Sequence, residues 1–538
     1  MGNIVLGTRS LDTINDIEIS GEDLLNGVED EENEDVSEHA EIFNEQHVMQ
    51  ILRQLINSGE IQIVNEQYYS MSLPTIRKKP TLDALKVSTI FQDTKQASGF
   101  SASGVPNSKW SILKMIANRQ NGYRASGFPQ HEKCKINNLY IPNRSERVVL
   151  NCDSKIFCGT MSKNGKYFIT AGQDEKIRIL DATTPNYNLS NEISAKNISW
   201  AIVDIDISPC GEYFVYSTWS DALYISKLFY SKSPDDVQPL YLNPDVERFC
   251  AFAVAFSNCG KQILAGANDG CLYSYDRQTN RRTLKVQVSE SKSDVNAVGF
   301  LDETSQIFFS GIDNGNIKVW DCRCLNEARP QAAGVLVGHF DGITYIDSRN
   351  DGRYIISNSK DQSIKLWDLR IFSPSNAEAG PKPAYWDYRW DSVPKRFYNP
   401  NKSIEGDTSV MTYRGHRIQK SLIRAKFSPA LTTGQRYIYT GCGTGRLIIY
   451  DVLTGKIVQA IEGHRDIVRD VAWHPHRSEI LTSSWDFQVK LNTYDGNFEK
   501  KSSSKRISFN DEDFSDEGSP PLRRSRRIAQ QRRAQNLD

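Results

Sequence analysis

Two strand-like runs of the chain end in a Trp-Asp pair with an arginine two residues on. They are Trp320-Asp321-Cys322-Arg323 and Trp367-Asp368-Leu369-Arg370. A guanidinium is a planar fork of N–H donors, so arginines repeated in one context suit bidentate pairing with a partner's carboxylates or carbonyls. Three Gly-His pairs, Gly338-His339, Gly415-His416 and Gly463-His464, offer imidazoles that could act as bases or ligands. Nothing around them completes a catalytic set. The chain has no GxxxxGK[ST], HExxH or GxSxG string, and those patterns are what phosphate cradling, zinc hydrolysis and a serine nucleophile require. The string GCGTG at 441–445 resembles a phosphate loop. It sits between two strand-like runs with no helix after it to direct a dipole at an anion, so it reads as a hairpin. No metal site, no cofactor and no enzymatic activity are expected.

What positions these residues is a repeat. An apolar strand, a Gly turn, a second strand, a tight turn and a third strand ending on Trp-Asp or a relative recur seven times between 158 and 493. The third strands end at 181, 228, 276, 321, 368, 451 and 493, in steps of 47, 48, 45, 47, 83 and 42. A period of ~40–45 residues is that of WD40 blades, and seven units specify a seven-bladed β-propeller. The 83-residue step is one period plus an insertion over 371–410. In the fifth repeat His339, Ser359, Asp361 and Trp367 match the structural tetrad of this fold, a reading that assigns the Gly-His histidines to architecture rather than catalysis. The seventh repeat has Asn492 where the tetrad wants Trp, so its network is expected to be incomplete. It also lacks a fourth strand. The unspent run Arg147–Leu150 before the first repeat should supply it and close the ring.

Composition agrees with a protein-binding module. Lys+Arg 65 against Asp+Glu 66 gives a net charge of −1, which argues against direct nucleic-acid binding. Mean hydropathy is −0.51 with no long apolar run, so no membrane span is expected. The first residues lack the pattern of a secretory signal, and Leu6 stands where myristoylation wants Ser or Thr. Ten cysteines without CxxC spacing give neither a zinc site nor a disulfide framework. Locally the charge is uneven. Residues 29–35 hold six acidic residues, and Arg523, Arg524, Arg526, Arg527, Arg532 and Arg533 cluster near the end. Such runs repel and resist packing. The expected organisation is an acidic disordered segment over 1–39, a helical extension over 40–142, the propeller over 143–497 and a disordered tail over 498–538. The arginine cluster in that tail is a candidate nuclear-import signal.

Longer strings carry a family resemblance. ANDGCLYSYDRQTNRRTL (267–284), ISNSKDQSIKLWDLR (356–370), YRGHR (413–417), SLIRAKFSPALTTGQRYIYTGCGTG (421–445) and WDYRW (386–390) resemble the WD-repeat 23 family of substrate receptors for cullin-4 RING ubiquitin ligases. The resemblance spans about 150–497. It implies that Trp320, Asp321, Arg323, Trp367, Asp368 and Arg370 dock the propeller on the damaged-DNA-binding adaptor. It further implies recruitment of regulatory proteins, among them cap'n'collar bZIP stress-response factors, for ubiquitination, in nucleus and cytoplasm. The alternative is a scaffold of a chromatin or RNA-processing complex without a ligase.

Three further regions bear on partners. Residues 40–57 and 108–119 have helical apolar stripes. The resemblance places the second, through Trp110 and Leu113, in a cleft of the adaptor; otherwise both pack on the propeller. The insertion holds Trp386, Tyr388, Arg389 and Trp390. Because it leaves from a third-strand end, it should share a face or rim with the arginines, packing as a local lid or serving as a binding hot spot. On the opposite face, Gln173, Trp219, Asn268, Lys360 and Trp485 should flank the turns, with Arg424 and Arg469 near the channel. That cation-containing rim would suit an acidic degron.

Overall fold

The computed structural model describes residues 5–6, 61–62, 82–99, 112–121, 128–229, 236–289, 292–377, 386–394, 397 and 404–497. The acidic run, the predicted helix at 40–57, Trp110 and the arginine cluster lie outside them. Residues up to Tyr494 form one compact unit, and everything below concerns that unit.

The repeats fold as expected into seven four-stranded antiparallel sheets. In blade 5 the strands are Ile343–Ser348, Tyr354–Ser359, Ser363–Asp368 and Met411–Arg414. The burial of each strand follows its radial place. The innermost strand is buried at four of its six positions. The second strand is buried at all six positions, since neighbouring blades cover both its faces. The outermost strands, such as Arg281–Gln287 of blade 3, are largely polar and open. Each interface between blades is an apolar cluster. That between blades 5 and 6 holds Tyr354, Ile356, Leu366, Tyr413, Ile438, Ile448 and Tyr450. This sharing of surfaces lets no blade stand alone.

Closure comes from upstream. Arg144–Asn151 is the outer strand of blade 7, pairing with Gln488–Thr493 through Val148↔Lys490 and Leu150↔Val489. It extends beyond the Arg147–Leu150 run read from sequence. The extra residues are polar and carry no apolar signal, yet their backbone groups still complete the ladder.

The GCGTG string is a hairpin joining Tyr437–Gly441 to Arg446–Asp451. Gly445 has φ +74°, and a Cβ there would collide with the carbonyl oxygen of His464. The turn therefore needs glycine for its backbone, not for a phosphate.

The described residues before the propeller form helices α1 (Asp83–Val87), α2 (Thr89–Ala97), α3 (Ile112–Gln120) and α4 (Gln130–Asn137), of which α1, α2 and α4 pack on blades 5 and 6. Within blade 6 the first-to-second-strand loop forms α5 (Ala430–Thr433). Leu85 and Ile90 are fully buried in the blade 5–6 cluster. Thr89 Oγ1 lies 2.7 Å from the Tyr354 hydroxyl, which also accepts the Ile90 N–H at 3.1 Å. Asn138 Nδ2 bridges the carbonyls of Ser98 and Thr433. Of the predicted helix at 108–119, the described part is helical within Ile112–Gln120. Helices α1, α2 and α4 lie inside the stretch read as a helical extension but were not singled out there; each is shorter than ten residues.

Candidate functional site

The two ends of the strands define two faces. One carries the ends of the third strands and the first-to-second-strand loops. The other carries the second-to-third-strand turns and the Gly-His linkers.

On the first face, Asp321 and Asp368 end the third strands of blades 4 and 5. Each aspartate chelates the arginine two residues on. Arg323 donates Nε to Asp321 Oδ1 at 2.9 Å and Nη2 to Oδ2 at 2.6 Å. Arg370 repeats this on Asp368 at 3.1 and 2.8 Å. The bond from Arg323 holds the Asp321 carboxyl down at about 2, so the pair stays ionised across the physiological range. The two arginine side chains are nevertheless 65% and 59% exposed. The chelate fixes the fork without hiding it, which lowers the entropy lost when a partner is gripped. Apolar surface accompanies the arginines: Ile371 directly follows Arg370, and Leu431 in α5 is also exposed.

The tryptophans of these motifs play a different part from the one expected. Trp320 and Trp367 are buried and cannot touch a partner. Their indoles donate to Ser310 Oγ at 2.9 Å and Ser357 Oγ at 2.7 Å. The serine of the blade 5 tetrad is thus Ser357 and not Ser359. His339 bonds Asp361 through Nδ1 (3.0 Å) and Ser357 through Nε2 (2.7 Å). Ser359, two residues on along the same strand, instead donates to the Asp341 carbonyl. Blade 7 also departs from expectation, because its network is closed. His464 bonds Asp486 and Thr482, and Asn492 Nδ2 donates to Thr482 Oγ1 at 3.1 Å in place of an indole. His416 lies between Tyr450 OH and Asn358 Oδ1. Burial holds its pKa down to about 3, which leaves it a neutral structural group.

On the second face, several expected contacts are spent internally. Arg424 and Arg469 point into the channel and are buried. Arg424 bonds Asp204 at 2.5 Å and Asp470 at 3.1 Å. Arg469 bonds Ser421 Oγ and the Val203 carbonyl. A buried guanidinium must satisfy its donors, so neither is offered to a substrate. Lys360 pairs with Asp313 and lies under the Tyr388 ring at 4.1 Å. Asn268 uses its amide on Cys250 N and the Arg248 carbonyl. Gln173, Trp219 and Trp485 remain half-buried on this face. Trp485 packs against Phe157, with Lys155 over its ring at 4.6 Å. Phe157 also meets Trp200, which the sequence reading missed and which is 52% exposed.

The insertion corrects a further expectation. Its ends stay together against the outer edge of blade 4, where Ser373 Oγ accepts the Val337 N–H and donates to the Gly406 carbonyl. Its segment from Trp386 to Asp391 lies on the opposite face, where the Lys420 N–H donates to the Tyr388 carbonyl at 2.7 Å and Gln419 Nε2 to that of Asp391 at 2.9 Å.

Among the described residues no group of three or more His, Cys, Asp or Glu is placed to hold a metal ion. No helix there is long and apolar enough to cross a membrane. Seven sheets, a His-Asp-Ser-Trp network and Trp-Asp strand ends define a WD40 propeller. The WD domain, G-beta repeat family profile matches residues 331–368 and 455–491. The chain is 36% identical over 430 residues to the DDB1- and CUL4-associated factor 11 homolog of Caenorhabditis elegans, covering 77% of this chain and 74% of that protein. It is 36% identical over 401 residues to the LEC14B protein of Lithospermum erythrorhizon, covering 72% and 83%. Likeness to human pre-mRNA-processing factor 17 is 24% over 272 residues, covering 44% and 42%. The chain belongs to the family of DDB1- and CUL4-associated factor 11 homologs and LEC14B proteins.

Proposed function

We propose that this protein is a non-catalytic substrate receptor of a cullin-4 RING ubiquitin ligase. It docks through its arginine face on the damaged-DNA-binding adaptor named in its relatives and recruits regulatory proteins for ubiquitination. The observation that carries the reading is the pair of identical chelates on neighbouring blades, with Arg323 and Arg370 both more than half exposed on one face. Preordered guanidiniums beside exposed Ile371 and Leu431 have the composition of an interface centre with a charged rim. Helix α3 adds to it. Leu113 is 77% exposed, and an unpartnered apolar side chain on a nine-residue helix suits insertion into a groove.

Affinity purification of the full chain tests this. The double variant Arg323→Asp, Arg370→Asp should lose DDB1 and CUL4 while its thermal unfolding stays within a degree or two of the parent. Leu113→Asp should weaken the same association. Full retention of the adaptor by the double variant would overturn the assignment, and retrieval of a splicing or chromatin assembly without CUL4 would favour the scaffold. Cap'n'collar bZIP factors are the first candidates for recruitment. The arginine cluster at 523–533 provides a route to the nucleus, tested by fusing residues 498–538 to a reporter.

A further inference from the structure

The insertion repeats the chemistry of the arginine face on the opposite side of the disc. Trp386-Asp387-Tyr388-Arg389 is a third Trp-Asp-x-Arg string. Unlike the other two it ends no blade strand. It forms a tight knuckle, with the Trp390 and Asp391 N–H groups donating to the Asp387 carbonyl at 3.2 and 2.9 Å. Asp387 chelates Arg389 through Nε at 2.9 Å and Nη2 at 2.5 Å. The same device that orders Arg323 and Arg370 therefore orders a third guanidinium.

The knuckle is seated on the mouth of the channel. Its anchor is Tyr388, whose ring covers Lys360 of blade 5 and whose carbonyl is held by Lys420. Asp313 of blade 4 and Arg469 of blade 7 are its charged neighbours. Arg469 in turn lies 5.2 Å from the Phe157 ring, which carries Trp200 and Trp485. The knuckle and the aromatic group of blades 7, 1 and 2 thus border the same opening. Tyr388 faces inward, and its two successors face out. Arg389 is 59% and Trp390 71% exposed. An exposed indole beside an ordered guanidinium joins two of the residue types that dominate binding hot spots.

Resting on the receptor reading, we propose that Arg389 and Trp390 are the gripping residues of the recruitment face. The occupant is an extended, carboxylate-bearing segment of the recruited protein, laid from the knuckle toward Lys155, Trp200 and Trp485. The cations that face it are Arg389, which has Asp294 as a further charged neighbour, and Lys155. Asp387 is already engaged by Arg389, and Asp313 by Lys360. Carboxylates would pair with the fork, and apolar side chains would lie on the two exposed indoles.

The test uses the full chain and two fluorescein-labelled peptides, four repeats of Glu-Ser-Leu and the same peptide with Gln for Glu. The acidic peptide should bind, with affinity falling as salt rises, and the Gln peptide should bind at least tenfold more weakly. Arg389→Ala with Trp390→Ala should weaken the acidic peptide at least tenfold while adaptor binding and the unfolding midpoint are kept. The conservative pair Arg389→Lys, Trp390→Phe should recover part of the loss. Arg323→Asp with Arg370→Asp should lose the adaptor and keep the peptide, so failure of the docking reading is read separately. Equal peptide binding by parent and Ala variant, or no preference for Glu over Gln, would overturn the proposal.

Discussion

The guanidinium of Arg424, at the entry to the inner strand of blade 6, bonds the carboxylate of Asp204, on the inner strand of blade 2, at 2.5 Å. The two residues are 220 apart in sequence and three blades apart in the ring. The same guanidinium holds Asp470 of blade 7, which Lys426 also reaches at 2.8 Å. The channel is therefore spanned by a charge network that ties the late blades to an early one. Sequence position alone had marked Arg424 as a substrate contact.

Arg424→Met should cost about 3–5 kcal/mol of unfolding free energy, because it strips two buried carboxylates of the guanidinium they share. Adding Asp204→Asn should recover part of that loss. Denaturant unfolding of the two single variants and the double checks it, and strict additivity would show that the pair is not coupled.

The corrected tetrad makes a paired prediction. Ser357→Ala strips an acceptor from the Trp367 indole and a partner from His339, and should cost about 2–3 kcal/mol. Ser359→Ala removes bonds to the Asp341 carbonyl and from the Asp361 N–H, and should cost about 1 kcal/mol. Thermal unfolding of the two variants should rank them in that order.

Acid acts on the fold in two opposed senses. Burial holds His416 down to about 3 and also lowers His464 and His474. Between pH 6.5 and about 3 the unfolded chain therefore takes up protons that the folded chain refuses, so stability falls with acid. Burial pushes Asp206 and Asp347 up to about 6. Between about 6 and 3.8 they bind protons in the folded state first, which offsets part of the loss. Asp206→Asn with Asp347→Asn should be more stable than the parent at pH 7.5, and that advantage should shrink toward pH 4. Urea midpoints across this range check it, and an advantage constant with pH would contradict the assignment.

All four exposed cysteines, Cys210, Cys259, Cys322 and Cys324, lie on the arginine face. The first two occupy first-to-second-strand loops of blades 2 and 3, and the others flank Arg323. N-ethylmaleimide should label these four before the remaining thiols of the described fold. Bound adaptor should slow labelling of Cys322 and Cys324 the most. Unchanged rates at both in the complex would place the docking surface elsewhere.

Local information was enough for the blades. Strand alternation, Gly turns and the period are written in neighbouring residues, so the seven sheets, the Gly-His architecture and the closing strand were legible before any coordinates. The two Trp-Asp-x-Arg strand ends were legible too, but the chelate of each arginine by its own aspartate was not read from them. What the string could not supply was which side chains meet across the ring. Ser357 and Ser359 are both buried serines on one strand, and only the approach of His339 and Trp367 decides between them. Arg424 and Arg469 read as surface cations until the inner strands converge and enclose them with Asp204 and Asp470. The insertion's path was hidden as well, since a segment leaving one face can reach the other when a half-buried Tyr388 and the backbone of Lys420 hold it there. Composition and periodicity act over a few residues and determined the disc; desolvation and pairing act over the whole ring and decided which charges face a partner.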